Sequence, residues 1–425
     1  MGNLKGVDIQ RGAIGASVLG RKDAISGLLV NAPEISGTAN IIGVGTGDAI
    51  KLTKLADAEA HGITAAYDEA KKVRVHRHIS EFFRMAGEGT TLYLMFSDKT
   101  TMNDTITTYG KKILIAGAGE IRQLAVGLNP PENSTPQSVN GINSDVYLCI
   151  KLAQELYDWA WEKQMPCQML LEGRDYNAAN AAAAANLRGI DNMGTTVRAE
   201  KVSVCIGQDW QYAGSRGNAI ASKMADVGTL LGSVAAQPVN HNVGEVAAIN
   251  LTNEKKGAWL VAGLSNGKKI SEMEADLSTL DDKGYIFPIS YPGYAGKYWN
   301  NDHTCTPVIQ DENGNVNEYS ISYGRTHDKA ARTLYLSLLP RVKSTQLVDK
   351  KTGLLPVGVV KDFEGVGDLV LGKMERAGEI SGGKTVVDAT SHLLVPPKEL
   401  RIGFTLQPTG TVDVIKGTIN LKTTI

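Results

Sequence analysis

Short apolar runs of strand character alternate with helical stretches from about residue 24 to residue 320, and that alternation restricts the chain to a mixed α/β fold. Residues 25–30, 91–96, 112–116, 169–172, 201–206, 259–264 and 285–291 read as strands. Helical signals surround Leu52, Leu55, Ala56 and Ala60 in the stretch 51–69. Helices are predicted at 79–85, at 145–164 with Val146, Ile150, Leu156 and Trp159 facing a core, at the Ala-rich 177–187, and at 219–236, a run of small residues.

The two ends of the chain read differently from this middle. Residues 4–11 form a strand-like segment with Val7 and Ile9 on one face, and Gly12, Gly15 and Gly20 follow it. A segment so short and so rich in Gly owns no core, so it reads as an arm. The turn Asp311-Glu312-Asn313-Gly314-Asn315 marks a boundary. Beyond it come a helix at 329–339 stopped by Pro340, a polar loop at 344–356, and a helix at 362–377 that contains three glycines. After Gly382-Gly383, strands are expected at 385–389, 401–407 and 411–423, the last with Val412, Val414, Ile419 and Leu421 as its apolar positions.

A chain of 425 residues is long enough for two or three domains and a sizeable core. Its 44 Lys+Arg balance 45 Asp+Glu, which argues against nucleic acid as a partner, because phosphate binding needs a basic excess. Four cysteines without C-x-x-C spacing read as buried, reduced thiols and not as zinc ligands. No apolar run approaches the ~18 residues of a membrane span.

Four stretches invite a chemical reading, and each is weak. Gly43-Val44-Gly45-Thr46-Gly47-Asp48 and Gly117-Ala118-Gly119-Glu120-Ile121-Arg122 imitate a dinucleotide fingerprint, but Asp48 and Arg122 replace the third glycine, which lets helix and strand approach closely. They read as turns, with no cofactor. His76 and His78 would share one side of a strand, yet a third metal ligand is missing and Arg74 and Arg77 flank them, so a solvated basic face is expected. Asp302, His303 and Cys305 make only a loose nucleophile neighbourhood, and no catalytic set is expected there. The aromatic, Gly-rich stretch 291–299 reads as a packed loop sooner than as a carbohydrate or base platform.

The ends carry a resemblance. Gly6-Val7-Asp8-Ile9-Gln10-Arg11-Gly12, followed by Ile25-Ser26-Gly27-Leu28-Leu29-Val30-Asn31-Ala32, resembles the opening of contractile tail sheath proteins, where an extended arm precedes the first core strand. Leu55-Ala56-Asp57-Ala58-Glu59-Ala60-His61-Gly62, then His78-Ile79-Ser80-Glu81-Phe82-Phe83-Arg84 and Gly87-Glu88-Gly89-Thr90-Thr91-Leu92-Tyr93-Leu94, is similar to a second stretch of that family, with His61 where Phe is usual. The C-terminal succession of helix, loop, helix and closing strands resembles its tube-facing domain.

The resemblance implies an outer α/β domain at 21–321, with a candidate subdivision near 100–280. This domain would be inserted between an N-terminal arm (1–20) and a C-terminal segment (322–425) that together form an inner α+β domain with terminal β-arms. It implies a structural subunit, with no catalytic, cofactor or metal residues, that polymerises helically around a tail tube and contracts to drive the tube through an envelope. Its partners would be copies of itself, the tail tube protein, and baseplate and tail terminator proteins, with neither nucleic acid nor membrane insertion. It would be assembled in the bacterial cytoplasm into a virion tail or injection particle. The arms, through Val7, Ile9, Val412, Val414, Ile419 and Leu421, would pair with neighbours, since strand addition keeps backbone hydrogen bonds while domains rotate. Asp368, Lys373, Glu375 and Arg376 on the 362–377 helix are the candidate tube contacts. The alternatives are an α/β enzyme of unknown reaction and a non-contractile virion structural protein.

Overall fold

The computed structural model describes residues 22–32, 45–131, 133–192, 195–216 and 223–421. A seven-stranded sheet forms its centre, built from β1 (Ser26–Asn31), β2 (Ala49–Leu52), β3 (Leu92–Ser97), β4 (Gln123–Gly127), β5 (Gln168–Glu172), β6 (Val202–Cys205) and β7 (Tyr285–Ile286). The spatial order is β7-β6-β5-β4-β1-β3-β2, and only the edge strand β2 runs antiparallel. Every residue of β1, β4, β5 and β6 is buried, which requires both faces of the sheet to be covered. Helices α1 (Val75–Ala86) and α4 (Val227–Ala236) pack on each other, with α4 against β1, β4 and β5. Helices α2 (Lys111–Ala116) and α3 (Ser144–Glu162) supply a second set of contacts to β1, β3, β5 and β6. The fold is mixed α/β, as the alternation of strands and helices implies.

Glycine placement decides how closely α4 lies on α1. A Cβ at Gly228 would stand 2.5 Å from the His78 carbonyl oxygen, and one at Gly232 would stand 2.7 Å from that of Phe82. The small residues seen in the sequence thus serve a backbone-to-backbone crossing, and α4 is buried along its whole length except Ala236.

Several expectations are corrected. The apolar run 112–116 is helical, not a strand: it closes a continuous stretch that begins at Met102, and five residues are too few to reveal a period. Strand β4 was not anticipated. The Ala-rich 177–187 is no helix but contains the single turns Ala181–Ala183 and Leu187–Gly189. There the Asn180 and Asn186 side chains accept from the Ala183 and Arg188 amides and cap the start of each turn locally. The stretch 51–69 begins in β2 and continues as two short helices, Leu55–Ala60 and Ala65–Lys71. Residues 411–421 form no strand within this chain. The 4–11 segment, with Val7 and Ile9, lies outside the described residues.

The large core draws on residues from Ala24 to Ile321. Two smaller clusters, around Leu334, Val370 and Leu371 and around Phe363 and Val387, draw on residues 330–406. Helix α5 (Ile321–Leu338) joins them: Ile321 belongs to the large core, Ala330 and Leu334 to the second, and Leu338 packs on the third. Its polar side chains lock the joint. The buried Lys201 ammonium donates to Asp328 Oδ1 (2.9 Å) and the Gly324 carbonyl (2.9 Å), and the Tyr157 hydroxyl donates to the same Asp328 oxygen (2.9 Å). The Arg325 guanidinium donates to three carbonyls, those of Asp23 (3.1 Å), Gln237 (3.3 Å) and Pro238 (3.2 Å).

Gly232→Val is expected to lower unfolding stability by about 1–3 kcal/mol or more, since its added carbons meet a backbone that cannot yield. Gly365→Ala, in an open helical position, should instead raise it by up to about 1 kcal/mol. Chemical denaturation of the two variants beside the parent protein checks both.

Candidate assembly interface

In a sheet of this order the connections reverse between β1 and β4, and in open α/β folds ligands enter at that reversal, beyond the strand C-termini. Here side chains of the protein fill it. Asn31 Nδ2 donates to the Asn129 carbonyl (2.7 Å), Asn129 Nδ2 returns a bond to the Asn31 carbonyl (2.8 Å), and Asn129 Oδ1 accepts from the Arg74 amide (2.9 Å). Next to this clamp, the buried Glu172 accepts from the Leu128 (2.8 Å) and Ala225 (3.2 Å) amides. Burial lifts its carboxyl to about 7, against the pull of Arg174.

The other chemical candidates also resolve into structure. His76 and His78 sit in the first turn of α1, not on a strand, so they point to different sides. His76 Nε2 meets Glu59 (3.3 Å), while His78 is buried, accepts from the Gly228 amide (3.3 Å), and is pushed down to about 4 by burial. The expected solvated basic face is instead a buried ionic cluster. Arg77 reaches Asp226 (2.9 Å), Asp209 (3.4 Å) and Glu81 (3.6 Å) and lies over the Tyr212 ring. A charge this deep is tolerated because three carboxylates surround it. His303 is held between Asp281 (2.8 Å) and Arg188 (2.6 Å), and burial pushes the Cys305 thiol far up from its ordinary pKa. Gly47 and Gly119 take positive φ in plain turns, and Gly43 and Val44 lie outside the described residues. The aromatic stretch forms the hairpin of β8 (Pro288–Tyr291) and β9 (Tyr294–Trp299), with the Tyr291 and Tyr294 rings exposed. Among the described residues, no group of three or more His, Cys, Asp or Glu is placed to hold a metal, and no helix is long and apolar enough to cross a membrane.

Exposed apolar surface is concentrated elsewhere. Most large apolar side chains that face solvent among the described residues lie beyond residue 330, including Leu336, Val357, Leu394 and Val395. Concentrated apolar exposure marks surface that another chain covers. Here α5 and α6 (Val357–Arg376) pack with the hairpin of β10 (Ile380–Val387) and β11 (Ile402–Pro408). Of the four glycines in α6, Gly367 alone is forced by packing: a Cβ there would lie 2.3 Å from Thr385 Oγ1.

The two edges of that hairpin are not equivalent. Asp368 Oδ1 accepts from the Thr385 amide (2.9 Å) and Glu364 Oε1 from the Val387 amide (3.2 Å), so helix α6 blunts the outer edge of β10. Strand β11, largely exposed, has no partner on its second edge among the described residues, and unpaired edges accept strands. The chain then continues through residues 409–421, where Val412, Val414, Ile419 and Leu421 are 74%, 70%, 94% and 100% exposed. The four charges expected on α6, Asp368, Lys373, Glu375 and Arg376, are all exposed, and Asp368 is at the same time bonded to β10 through the Thr385 amide. Sequence reasoning missed the exposed Leu336, Val357, Leu394 and Val395. Their residue type alone does not separate an apolar surface from an apolar core.

A family model described as DUF2586, N-terminal domain, matches residues 23–303. No curated protein matches the chain. A chain of the anti-feeding prophage (AFP) baseplate, determined by cryo-EM with six-fold symmetry, shares the fold with a TM-score of 0.55 at 13% identity, over 99% of this chain and 100% of that one. A chain of the same baseplate in its contracted state gives 0.53 at 11% identity over 100% of both.

The four thiols are all buried. Iodoacetamide at neutral pH is therefore expected to leave Cys149, Cys167, Cys205 and Cys305 unmodified until denaturant is added. Mass spectrometry of the labelled protein reads this, and rapid native labelling of Cys305 would contradict the burial described.

Proposed function

This chain belongs to the DUF2586 family, and we propose that it is a structural subunit of a contractile injection particle, a sheath protein whose work is mechanical. One observation carries the reading. Residues 409–421 leave the hairpin without helix, strand or turn, with apolar side chains in solvent, and among the described residues none pairs with their backbone. Fully burying one such side chain stabilises by about 1.5–3 kcal/mol, so a subunit that leaves several exposed gains that energy only on meeting a partner. A fold shared over its full length with chains of the anti-feeding prophage baseplate supports the particle type.

In this reading the segment crosses to a neighbouring copy and adds to an unpaired edge such as β11, while the N-terminal arm with Val7 and Ile9 does likewise. Such contacts are head-to-tail, and head-to-tail contacts that do not close generate helical filaments. Residues 322–425 form the inner unit facing a tail tube, and the α/β body is the outer unit. Contact to the tube is polar and weak enough to be released, through Lys373, Glu375 and Arg376; Asp368 serves the fold first. Assembly takes place in the bacterial cytoplasm, with baseplate and terminator proteins at the two ends of the polymer.

Electron micrographs of the purified protein should show tubes or rods; closed rings would favour a baseplate component instead. Removing residues 411–425 should leave a subunit with parental thermal stability that stays monomeric, and normal tubes from this truncation would remove the arm reading. Reversing Lys373 and Arg376 to Glu should reduce assembly on tail tubes at low salt without unfolding the subunit. Equal assembly at low and high salt would exclude these residues as the tube contact.

A further inference from the structure

The closed crevice beyond the ends of β4 and β5 holds a carboxyl group with no cation of its own. Glu172 ends β5 and is fully buried, and among the described residues it enters no ion pair. Arg174, the nearest cation in the chain, is committed elsewhere: its Nε donates to Asp175 Oδ2 (2.9 Å) and its Nη1 to the Leu128 carbonyl (2.7 Å). Burial without a paired cation favours the neutral acid. Here burial outweighs the pull of Arg174 and of the Leu128 and Ala225 amides. Gly127, the last residue of β4, keeps a space open beside this carboxyl. A Cβ there would stand 3.4 Å from Glu172 Oε2 and 3.4 Å from His78 Nε2. Because His78 Nδ1 accepts from the Gly228 amide, the neutral ring carries its proton on Nε2, and that atom is buried without a hydrogen-bond partner among the described residues. Arg74, Arg77, Asp226 and Glu81 are the charges around His78, and Arg174 and Asp175 those around Glu172. None of them is free to neutralise a bare Glu172 carboxylate, since Arg77 already serves Asp226, Asp209 and Glu81.

We infer that Glu172 is a proton-binding site that makes the closure of this crevice sensitive to pH. With its proton in place, the carboxyl ties Leu128, just beyond β4, to Ala225, just before α4, at no cost in buried charge. Without the proton, an unpaired anion stands inside the α/β body and loosens that tie. The crevice thus excludes a ligand by its own side chains and still takes up a proton. The device belongs to the single subunit and holds whether or not the chain polymerises. Between the ordinary carboxylate range and about 7, the folded chain holds a proton on Glu172 that the unfolded chain has released. This contribution to stability is therefore complete in acid and is lost as pH rises to about 7. Asp68, raised to about 6 by burial, acts in the same direction. His78, pushed down to about 4 by burial, acts in the opposite one, because the unfolded ring binds a proton that the folded ring refuses. Comparison with a variant that lacks only the Glu172 proton cancels both.

Glu172→Gln is that variant. Urea denaturation of the parent and of Glu172→Gln, from about pH 5 to about pH 8, reads the ratio of their folding equilibrium constants. That ratio should fall by about tenfold per pH unit in the middle of the range and level off at its upper end. A ratio that does not change with pH overturns the assignment. Should Glu172→Gln fail to fold, the parent protein still decides the matter. Infrared spectra of parent grown with and without glutamate labelled with 13C at the side-chain carboxyl separate glutamic from aspartic acids, so Asp68 does not contribute. A protonated glutamic acid at about pH 6 that is lost by about pH 8 is the expected result, and the absence of any protonated glutamic acid at about pH 6 overturns the assignment.

Discussion

The joint at helix α5 governs how this molecule is put together. One helix enters the large core at Ile321 and leaves it by Leu334 to nucleate a second. At its centre the Lys201 ammonium and the Asp328 carboxylate are both removed from water. A buried pair is costly to desolvate, and Gly324, Tyr157 and Glu318 offset that cost at Lys201 Nζ and Asp328 Oδ1, while Asp328 Oδ2 has no hydrogen-bond partner among the described residues. Beside it Lys329 links Asp23 (2.7 Å) to Glu379 (2.5 Å), so the first described residues, the bridging helix and the distal hairpin share one ionic chain. Such directional contacts fix an angle between two bodies in a way that apolar packing alone does not.

With that angle set, the α/β body is tied together by its own polar contacts. Its reversal crevice is closed by the Asn31–Asn129 clamp, and the cluster around Arg77 ties α1 to Asp209 and Asp226. The chain thus uses the architecture of a ligand-binding fold and fills the ligand's place with its own side chains. Fold and function are separable in this sense. Among the described residues most of the exposed large apolar side chains are gathered on the smaller C-terminal unit.

That unit shows how a small two-stranded ribbon can be safe on one side and open on the other. Carboxylates of α6 occupy the outward amides of β10, while β11 and residues 409–421 have no such cover among the described residues. An isolated ribbon with a free edge and apolar side chains in water is marginal by itself. It persists here because Gly367 lets α6 settle onto Thr385 and Phe404.

The alternation of apolar runs and helical periods was enough to establish the mixed α/β class, because binary pattern reports local burial directly. Helices α3, α5 and α6 and strands β3, β5 and β6 were legible for the same reason, being long or strongly apolar. Residues 112–116 were misread because a five-residue apolar run has no period of its own, and 177–187 because alanine content does not reveal that asparagines will cap the turns. His76 and His78 changed neighbours once they proved to lie on a helix. Contacts between residues far apart in the chain were beyond any local pattern. Asn31 meeting Asn129, Asp328 reaching Lys201, and Arg325 bridging Asp23 to Gln237 all depend on how the chain returns to itself. The sequence by itself determined the α/β class, the charge balance and the longest elements. Tertiary structure alone decided which charges are buried and which edge of the hairpin is covered, because those properties belong to pairs of distant residues and not to any one segment.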